Sequence, residues 1–366
     1  MKRSKFISAS AALLAAGLVL AACSSGDSGN EATDSASETT TTEEGSGDLS
    51  GEMTFVSFGG AYQDAQTQAM VDSFVEANPG VSILQDGPTD YAKISQMVSA
   101  GNVTWDVVDT DPFFPIGKCG TEAEKLDFTI IDTTGVIEDL ISECSVPSMT
   151  YAYVLIYNSE KYGDNPPQNW TDFFDTANFP GTRAIQNSAQ GGGYEIALLA
   201  DGVEPASLYP LDYDRAFTKL DSISDDLIFW ESGAQSQEMM ENGEADMIIA
   251  WNGRAYNAAV NGAPILPAWD QNIVVYDVFM VPMGAPNKEL AMQFISNAIS
   301  PEPQGRLQNV IPYAAINVNA PASTGDELFQ TYLPTTHIEE GVIQDQTWWA
   351  ENQDEATSKW TAWTAG

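Results

Sequence analysis

The chain has 366 residues, with 14 Lys and Arg against 52 Asp and Glu and a formal net charge of −38 at pH 7. So acidic a balance argues against nucleic acid or an anionic lipid surface as partner, since both demand a basic face. His337 is the only histidine and the three cysteines stand at no ligand spacing, so neither a metal nor a cofactor is expected.

Lys2, Arg3 and Lys5 precede an apolar run from Ala11 to Leu20, and Ala21-Ala22 then lead to Cys23. This is the build of a secretory signal, and the run is too short to span a bilayer comfortably. Leu20-Ala21-Ala22-Cys23 is similar to a bacterial lipobox. That likeness implies loss of residues 1–22, acylation of Cys23 and export to the outer face of the membrane, where two or more acyl chains make the anchor stable. In 23–50 the acids Asp27, Glu31, Asp34, Glu38, Glu43, Glu44 and Asp48 face no Lys or Arg, and Leu49 is the only large apolar side chain. Such a segment cannot bury enough surface to offset its ordering entropy and is expected to be a disordered tether, reaching roughly 30 Å as a flexible coil. With Cys23 acylated, Cys119 and Cys144 remain as an even pair in an oxidising compartment. A bridge between them would stabilise by roughly 3 kcal/mol through the loop it closes.

From Gly51 the pattern alternates. Met53 to Phe58 reads as a buried strand ending at Gly59-Gly60, and Met70, Val71, Phe74 and Val75 as one helical face stopped by Asn78-Pro79-Gly80. Val81 to Leu84 is a strand, Asp90 to Ala100 a helix and Trp105 to Asp109 a strand. This β-α-β-α-β order predicts a mostly parallel sheet covered by helices. Tyr151 to Tyr157 is a strand crossing into a second lobe. A short strand follows Phe179-Pro180-Gly181, then helices at Tyr194 to Ala200 and Asp214 to Ser222, a strand at Asp246 to Trp251, and a returning strand at Ile273 to Val281. Asn287 is expected to cap a helix with the apolar stripe Leu290, Ala291, Phe294, Ile295 and Ala298. The reading divides the body into 51–152, 153–275 and 276–366, the first and last forming one lobe. Ligands of open α/β sheets sit beyond the carboxyl ends of strands. Those ends carry Phe58 to Tyr62, Asp109 to Asp111, Tyr151 to Tyr153, Trp251 to Arg254, and Tyr276-Asp277. Recurring aromatics and acids suit an ammonium on an alkyl chain.

The stretches Asn102 to Val108, Trp170 to Phe174, Ala197 to Val203, Trp230 to Gln235, Trp251 to Arg254 and Ile311 to Tyr313, in this order, resemble the spermidine/putrescine-binding proteins of ABC importers. The resemblance covers about Gly51 to Trp363. It implies a periplasmic-binding-protein-like α/β fold, in which two lobes close by a hinge over a ligand and then dock on a membrane permease, as a monomer. It also implies that Asp277 binds an ammonium, that Trp251 and Phe58 pack on an alkyl chain, and that Asp111 and Phe113 line the pocket. Gly59, Gly60, Tyr62, Tyr153, Glu231, Gln235 and Tyr276 complete the candidate contacts. The likeness extends to the surroundings of Cys119 and Cys144.

Three positions depart from the family pattern. Val275 stands where an aromatic is expected, with Tyr276 as its substitute. Gln190-Gly191-Gly192-Gly193 replaces acids ahead of the Tyr194 helix and leaves Glu195 as their stand-in. Arg254 replaces an acid that some polyamine binders carry. A guanidinium repels a diamine but takes a carboxylate in two parallel hydrogen bonds. Arg254 therefore points to a zwitterion such as 4-aminobutyrate, unless it pairs with Glu231 or Asp277 and only shapes the wall. Other readings are a sugar-, phosphonate- or iron-binding protein of the same fold, or a secreted hydrolase. The sequence contains no Gly-x-Ser-x-Gly or His-Glu-x-x-His motif, so an enzyme is not expected.

Overall fold

Residues 49–366 are described by the computed structural model, so the expected signal, the lipidated Cys23 and nearly all of the tether lie outside the described residues. β1 (Ser50–Val56) buries Met53, Phe55 and Val56. The chain then turns through Gly59, at φ 78°, into α1 (Gly60–Gln66), a π-turn at Thr67–Val71 and α2 (Asp72–Ala77). The positive φ is a conformation that glycine adopts without a Cβ penalty. β2 (Gly80–Asp86), α3 (Tyr91–Ala100), β3 (Val107–Thr110) and α4 (Phe113–Gly117) follow. Asp90 caps α3 by accepting from Lys93 N, which satisfies an otherwise orphaned amide of the first turn.

The long strand β4 (Val146–Asn158) leads to α5 (Ser159–Tyr162), α6 (Trp170–Phe174), β5 (Arg183–Gln186), α7 (Tyr194–Ala200), α8 (Tyr213–Asp221), β6 (Leu227–Trp230), α9 (Gly233–Asn242), β7 (Met247–Trp251) and α10 (Asn252–Val260). A second long strand, β8 (Ile265–Met280), returns. After it come α11 (Lys288–Ala298), α12 (Pro301–Val310), α13 (Glu327–Thr331), β9 (Val342–Ile343) and α14 (Gln346–Thr364). No helix of the described residues is long and apolar enough to cross a membrane.

One sheet runs in the order β2-β1-β3-β8-β4-β7-β5-β6, with β9 added beside β8. Its outer pairs are parallel, β1 with β2 and β3, and β5 with β6 and β7. At the centre β4 and β8 run antiparallel to each other, and β3 and β7 join them antiparallel. The expected mostly parallel sheet is therefore mixed. Both long strands exceed their sequence readings, β4 beginning at Val146 and β8 at Ile265. Their polar or proline-containing ends broke the apolar pattern that located them. Asn287 stands at the start of α11 but makes no side-chain cap; its amide instead donates to Asp106 Oδ1 at 2.8 Å and its side chain to Asp106 Oδ2 at 3.3 Å.

β4 and β8 thus belong to both halves of the molecule, and their register shifts between Tyr153 and Leu155. In the second half Arg183 is fully buried and its guanidinium donates to the carbonyls of Phe173 (2.9 Å), Gly181 (2.6 Å) and Phe179. This pins the chain that leads into β5. Cys119 and Cys144 form a disulfide with 5.5 Å between their Cα atoms, tying the chain beyond α4 to the start of β4.

Candidate functional site

A cavity of about 490 Å³ opens where β1, β3 and β7 present their ends beside the interior of β4 and β8. Tyr151 to Tyr153 and Tyr276-Asp277 therefore lie within long strands and not at the strand ends expected from sequence. Cross-strand pairing fixes its floor. Met149 lies opposite Asp277, Tyr151 opposite Val275 and Tyr153 opposite Ile273, so these side chains follow one another along one face of the sheet. Tyr151 packs at 6.4 Å from Trp251 and 5.6 Å from Tyr313, and Tyr153 at 6.1 Å from Trp251. The result is an aromatic floor with Asp277 at one end.

Asp277 is only 3% exposed, and its Oδ1 has no hydrogen-bond partner among the described residues. Burial, with Asp109 and Asp111 nearby, pushes its carboxyl well above the usual carboxylate range. Asp109 is better served. Its Oδ2 accepts from Tyr62 (2.6 Å), Gln66 (2.8 Å) and Ser57 (3.3 Å), and its Oδ1 from Ser148 (2.7 Å). Burial still raises it, to about 6, against those four donors. Asp111 accepts from the Tyr91 hydroxyl and is likewise raised by burial. Two buried acids, Asp109 and Asp277, and the half-buried Asp111 therefore crowd one place with no cation paired to them among the described residues. A buried carboxylate demands a partner or a proton.

Arg254 lies in the first turn of α10, beyond Trp251, and faces the same cavity. A Cβ built on Gly233 would stand 2.7 Å from its Nε, and one on Gly60 3.8 Å from its Nη2. Its guanidinium thus lies between the starts of α9 and α1. It makes no ion pair within 4.0 Å with any described carboxylate, Glu231 and Asp277 included. Glu231 instead accepts from Asn187 Nδ2 at 2.8 Å. Pairing with either acid, the alternative role for Arg254, is absent from this structure.

Of the residues nominated from sequence, Phe58, Gly59, Tyr62, Asp111, Phe113, Tyr153, Glu231, Trp251, Arg254, Tyr276 and Asp277 border the cavity. Gly60, Glu195 and Gln235 do not. Gly60 backs the Arg254 guanidinium. Gln235 turns away and accepts from the Glu231 amide at 2.8 Å. Glu195 is fully buried behind the wall, its Oε1 taken by Tyr209 (2.8 Å), Gln344 (3.1 Å) and Trp349 (3.1 Å). The last two donors come from the chain around β9 and α14, which fills the space an acid would need to reach the cavity. Sequence reasoning missed Met149, Tyr313, Gln186, Ser188, Gln344 and Gln346, all of which line it.

Residues 69–335 match a family model described as a bacterial extracellular solute-binding protein. The gamma-aminobutyric acid-binding protein of Pseudomonas aeruginosa is 32% identical over 86% of this chain and 91% of its own length. The spermidine/putrescine-binding periplasmic protein of Escherichia coli is 23% identical over 65% of this chain and 70% of its own. Among solved structures, a GABA receptor matches at 40% identity and TM-score 0.79, covering 86% of this chain and 97% of that one. An A. tumefaciens R10 binding protein in complex with agropinic acid matches at 32% and 0.76, covering 87% and 100%.

Proposed function

The chain belongs to the bacterial extracellular solute-binding proteins, and on that premise we propose that its cleft captures a small zwitterion with a terminal amine, of the 4-aminobutyrate kind, for delivery to the permease of an ABC importer. The observation that carries this reading is one cavity holding a buried acid whose Oδ1 has no partner, Asp277, and a guanidinium without an ion pair, Arg254. The ligand ammonium enters beside Asp277, where it supplies the one counter-charge that the ionised Asp277 carboxylate lacks, and its chain lies on Tyr151, Trp251 and Tyr313. Aromatic faces contribute roughly 0.5–2 kcal/mol to a bound cation. The ligand carboxylate takes the Arg254 fork, a pairing that needs both charges in the dry closed cleft to be worth more than on the surface. Two relatives named for 4-aminobutyrate support the same chemistry.

In the same proposal β4 and β8 act as the hinge near the Tyr153 register shift, with 51–152 and 276–366 on one side and 153–275 on the other. Cys23 anchors a monomer to the outer face of the cell membrane through the 23–50 tether. The relatives are solute-binding proteins and not enzymes, and capture without turnover is the role assigned.

A polyamine is the second reading, favoured by the excess of acids, since Glu231 borders the cavity together with Asp111 and Asp277. Calorimetric titration of 4-aminobutyrate, putrescine and spermidine into the tether-free protein separates the two. Tightest binding of 4-aminobutyrate supports the zwitterion; tightest binding of either polyamine overturns it.

A further inference from the structure

None of the residues of α12 lines the cavity, yet the helix reaches both sets of donors that hold Asp109, the acid beside Asp277. On one side is Gln304, which is fully buried. Its Nε2 donates to the carbonyls of Ser148 (2.9 Å) and Ala298 (3.1 Å), and its Oε1 accepts from the Ile316 amide at 3.1 Å. Ser148 in turn donates its hydroxyl to Asp109 Oδ1 at 2.7 Å. On the other side is Arg306, whose Nε donates to the Ala69 carbonyl at 2.9 Å and whose Nη2 donates to Ser73 Oγ at 2.7 Å. Arg306 makes no ion pair within 4.0 Å with any described carboxylate. In a chain with 52 Asp and Glu against 14 Lys and Arg, a guanidinium directed at a carbonyl and a hydroxyl needs a reason in the helix it touches.

That reason is the π-turn between α1 and α2. The Asp72 amide donates to the carbonyl of Thr67, five residues back, so the turn holds one residue more than an α-turn. Tyr62 and Gln66 lie one turn apart on the face that meets Asp109. An uninterrupted α-helix would carry that face on through Ala69 and Ser73. The core face resumes instead at Met70 and Phe74, one residue later, and Phe74 packs on Phe294 at 5.4 Å. The extra residue thus lets one continuous helix put Phe74 in the core and Tyr62 on Asp109. Arg306 grips the turn at Ala69, its middle residue. Asp277 lies beside the same Tyr62 hydroxyl, so a phenol freed from Asp109 would donate to Asp277 and compete with a ligand ammonium.

We propose that Arg306 is a positioning residue for the ammonium end of the cleft. By bracing the π-turn it keeps the Tyr62 phenol on Asp109, and so keeps Asp277 Oδ1 free for the ligand. This rests on the reading that Asp277 receives an amine, and it holds for a zwitterion and a polyamine alike.

Calorimetric titration of 4-aminobutyrate and putrescine into the protein tests it as a double-mutant cycle. Arg306→Met keeps the bulk and removes both donors. It is expected to weaken whichever ligand the wild type binds by about ten-fold, the scale of one hydrogen bond competing for a carboxylate. Tyr62→Phe alone is expected to cost less than that, because Gln66, Ser57 and Ser148 still serve Asp109. In the Tyr62→Phe background Arg306→Met is expected to cost nothing further, since no phenol is left to move. Arg306→Lys, which retains one donor, should fall between wild type and Arg306→Met, and it takes the place of the methionine variant in the cycle if that one does not fold. An equal loss from Arg306→Met with and without the phenol means a general loosening of the helix and overturns the inference. So does an unchanged affinity in Arg306→Met, or a Tyr62→Phe protein that no longer binds, since the phenol would then serve the ligand itself. Those outcomes leave the amine reading of Asp277 standing, whereas a wild type that binds neither ligand removes that reading and the inference with it.

Discussion

Tyr62 donates its phenolic proton to Oδ2 of Asp109 at 2.6 Å, so the hydroxyl that lies close to Asp277 serves a neighbouring carboxylate and leaves Asp277 Oδ1 without a partner. The sequence places Tyr62 two residues into α1, and Gln66, one turn later, donates to the same oxygen at 2.8 Å. This arrangement satisfies one acid of the cluster and holds another ready. Replacing Asp277 by Asn should therefore separate binding from stability. Affinity for 4-aminobutyrate is expected to fall at least a hundred-fold, because the counter-charge is gone. The melting temperature of the unliganded protein is expected to stay level or rise, because an uncompensated buried acid is removed. A variant that melts much lower than wild type would contradict the view that Asp277 is held for the ligand.

Binding and stability should respond to pH in opposite directions. Asp109, raised to about 6, and Asp111 and Asp277, also raised by burial, have folded-state values above their unfolded ones. Stability from these groups is fully present below the unfolded carboxylate range near 4 and is lost as pH rises through the folded values. An ammonium ligand needs the cluster ionised, so its binding releases protons. The thermal shift caused by saturating 4-aminobutyrate is expected to be larger at pH 7.5 than at pH 5.5. Titrations in buffers of different ionisation enthalpy should register the proton release directly.

Gly233 opens α9, and a Cβ there would meet Trp251 Cζ3 at 2.6 Å and Arg254 Nε at 2.7 Å. Gly233→Ala is expected to displace the guanidinium and weaken 4-aminobutyrate by ten-fold or more. The far-UV circular dichroism should remain that of the wild type. Unchanged affinity would mean that Arg254 moves freely without consequence for the ligand.

The Cys119–Cys144 bridge has a sequence separation of 25, a loop whose closure stabilises by about 3 kcal/mol. Reduction should lower the urea midpoint by a corresponding amount. α4 carries Phe113 on the cavity wall and ends just before the bridge, so ligand affinity is expected to fall with it, though less than in Asp277→Asn.

Local pattern located the charged end of the cleft and left the other end hidden. Phe58, Asp111 and Trp251 sit at or just beyond the end of an apolar strand, where composition changes abruptly, and Asp277 interrupts the apolar run inside β8. Arg254 stood out because a cation among so many acids needs a reason. Gln344 and Gln346 had no such signal. They reach the wall only because the two residues of β9 pair with Ile273 and Val274 of β8, a contact between distant parts of the chain that no period announces. The same placement explains Glu195. Its position one residue into α7 suggested a cavity acid, but Trp349 and Gln344 cover it. Tyr313 joined the floor from the chain after α12, again by a long-range return.

The pairing of one end of the ligand with Asp277 and the other with Arg254 is the central claim, and Arg254→Ala tests it most directly. Calorimetric titrations of 4-aminobutyrate and putrescine into wild type and variant should show wild type preferring 4-aminobutyrate, and the variant losing at least thirty-fold of that affinity while putrescine binds no worse or better than before. An Arg254→Ala protein that keeps full affinity for 4-aminobutyrate would contradict the claim.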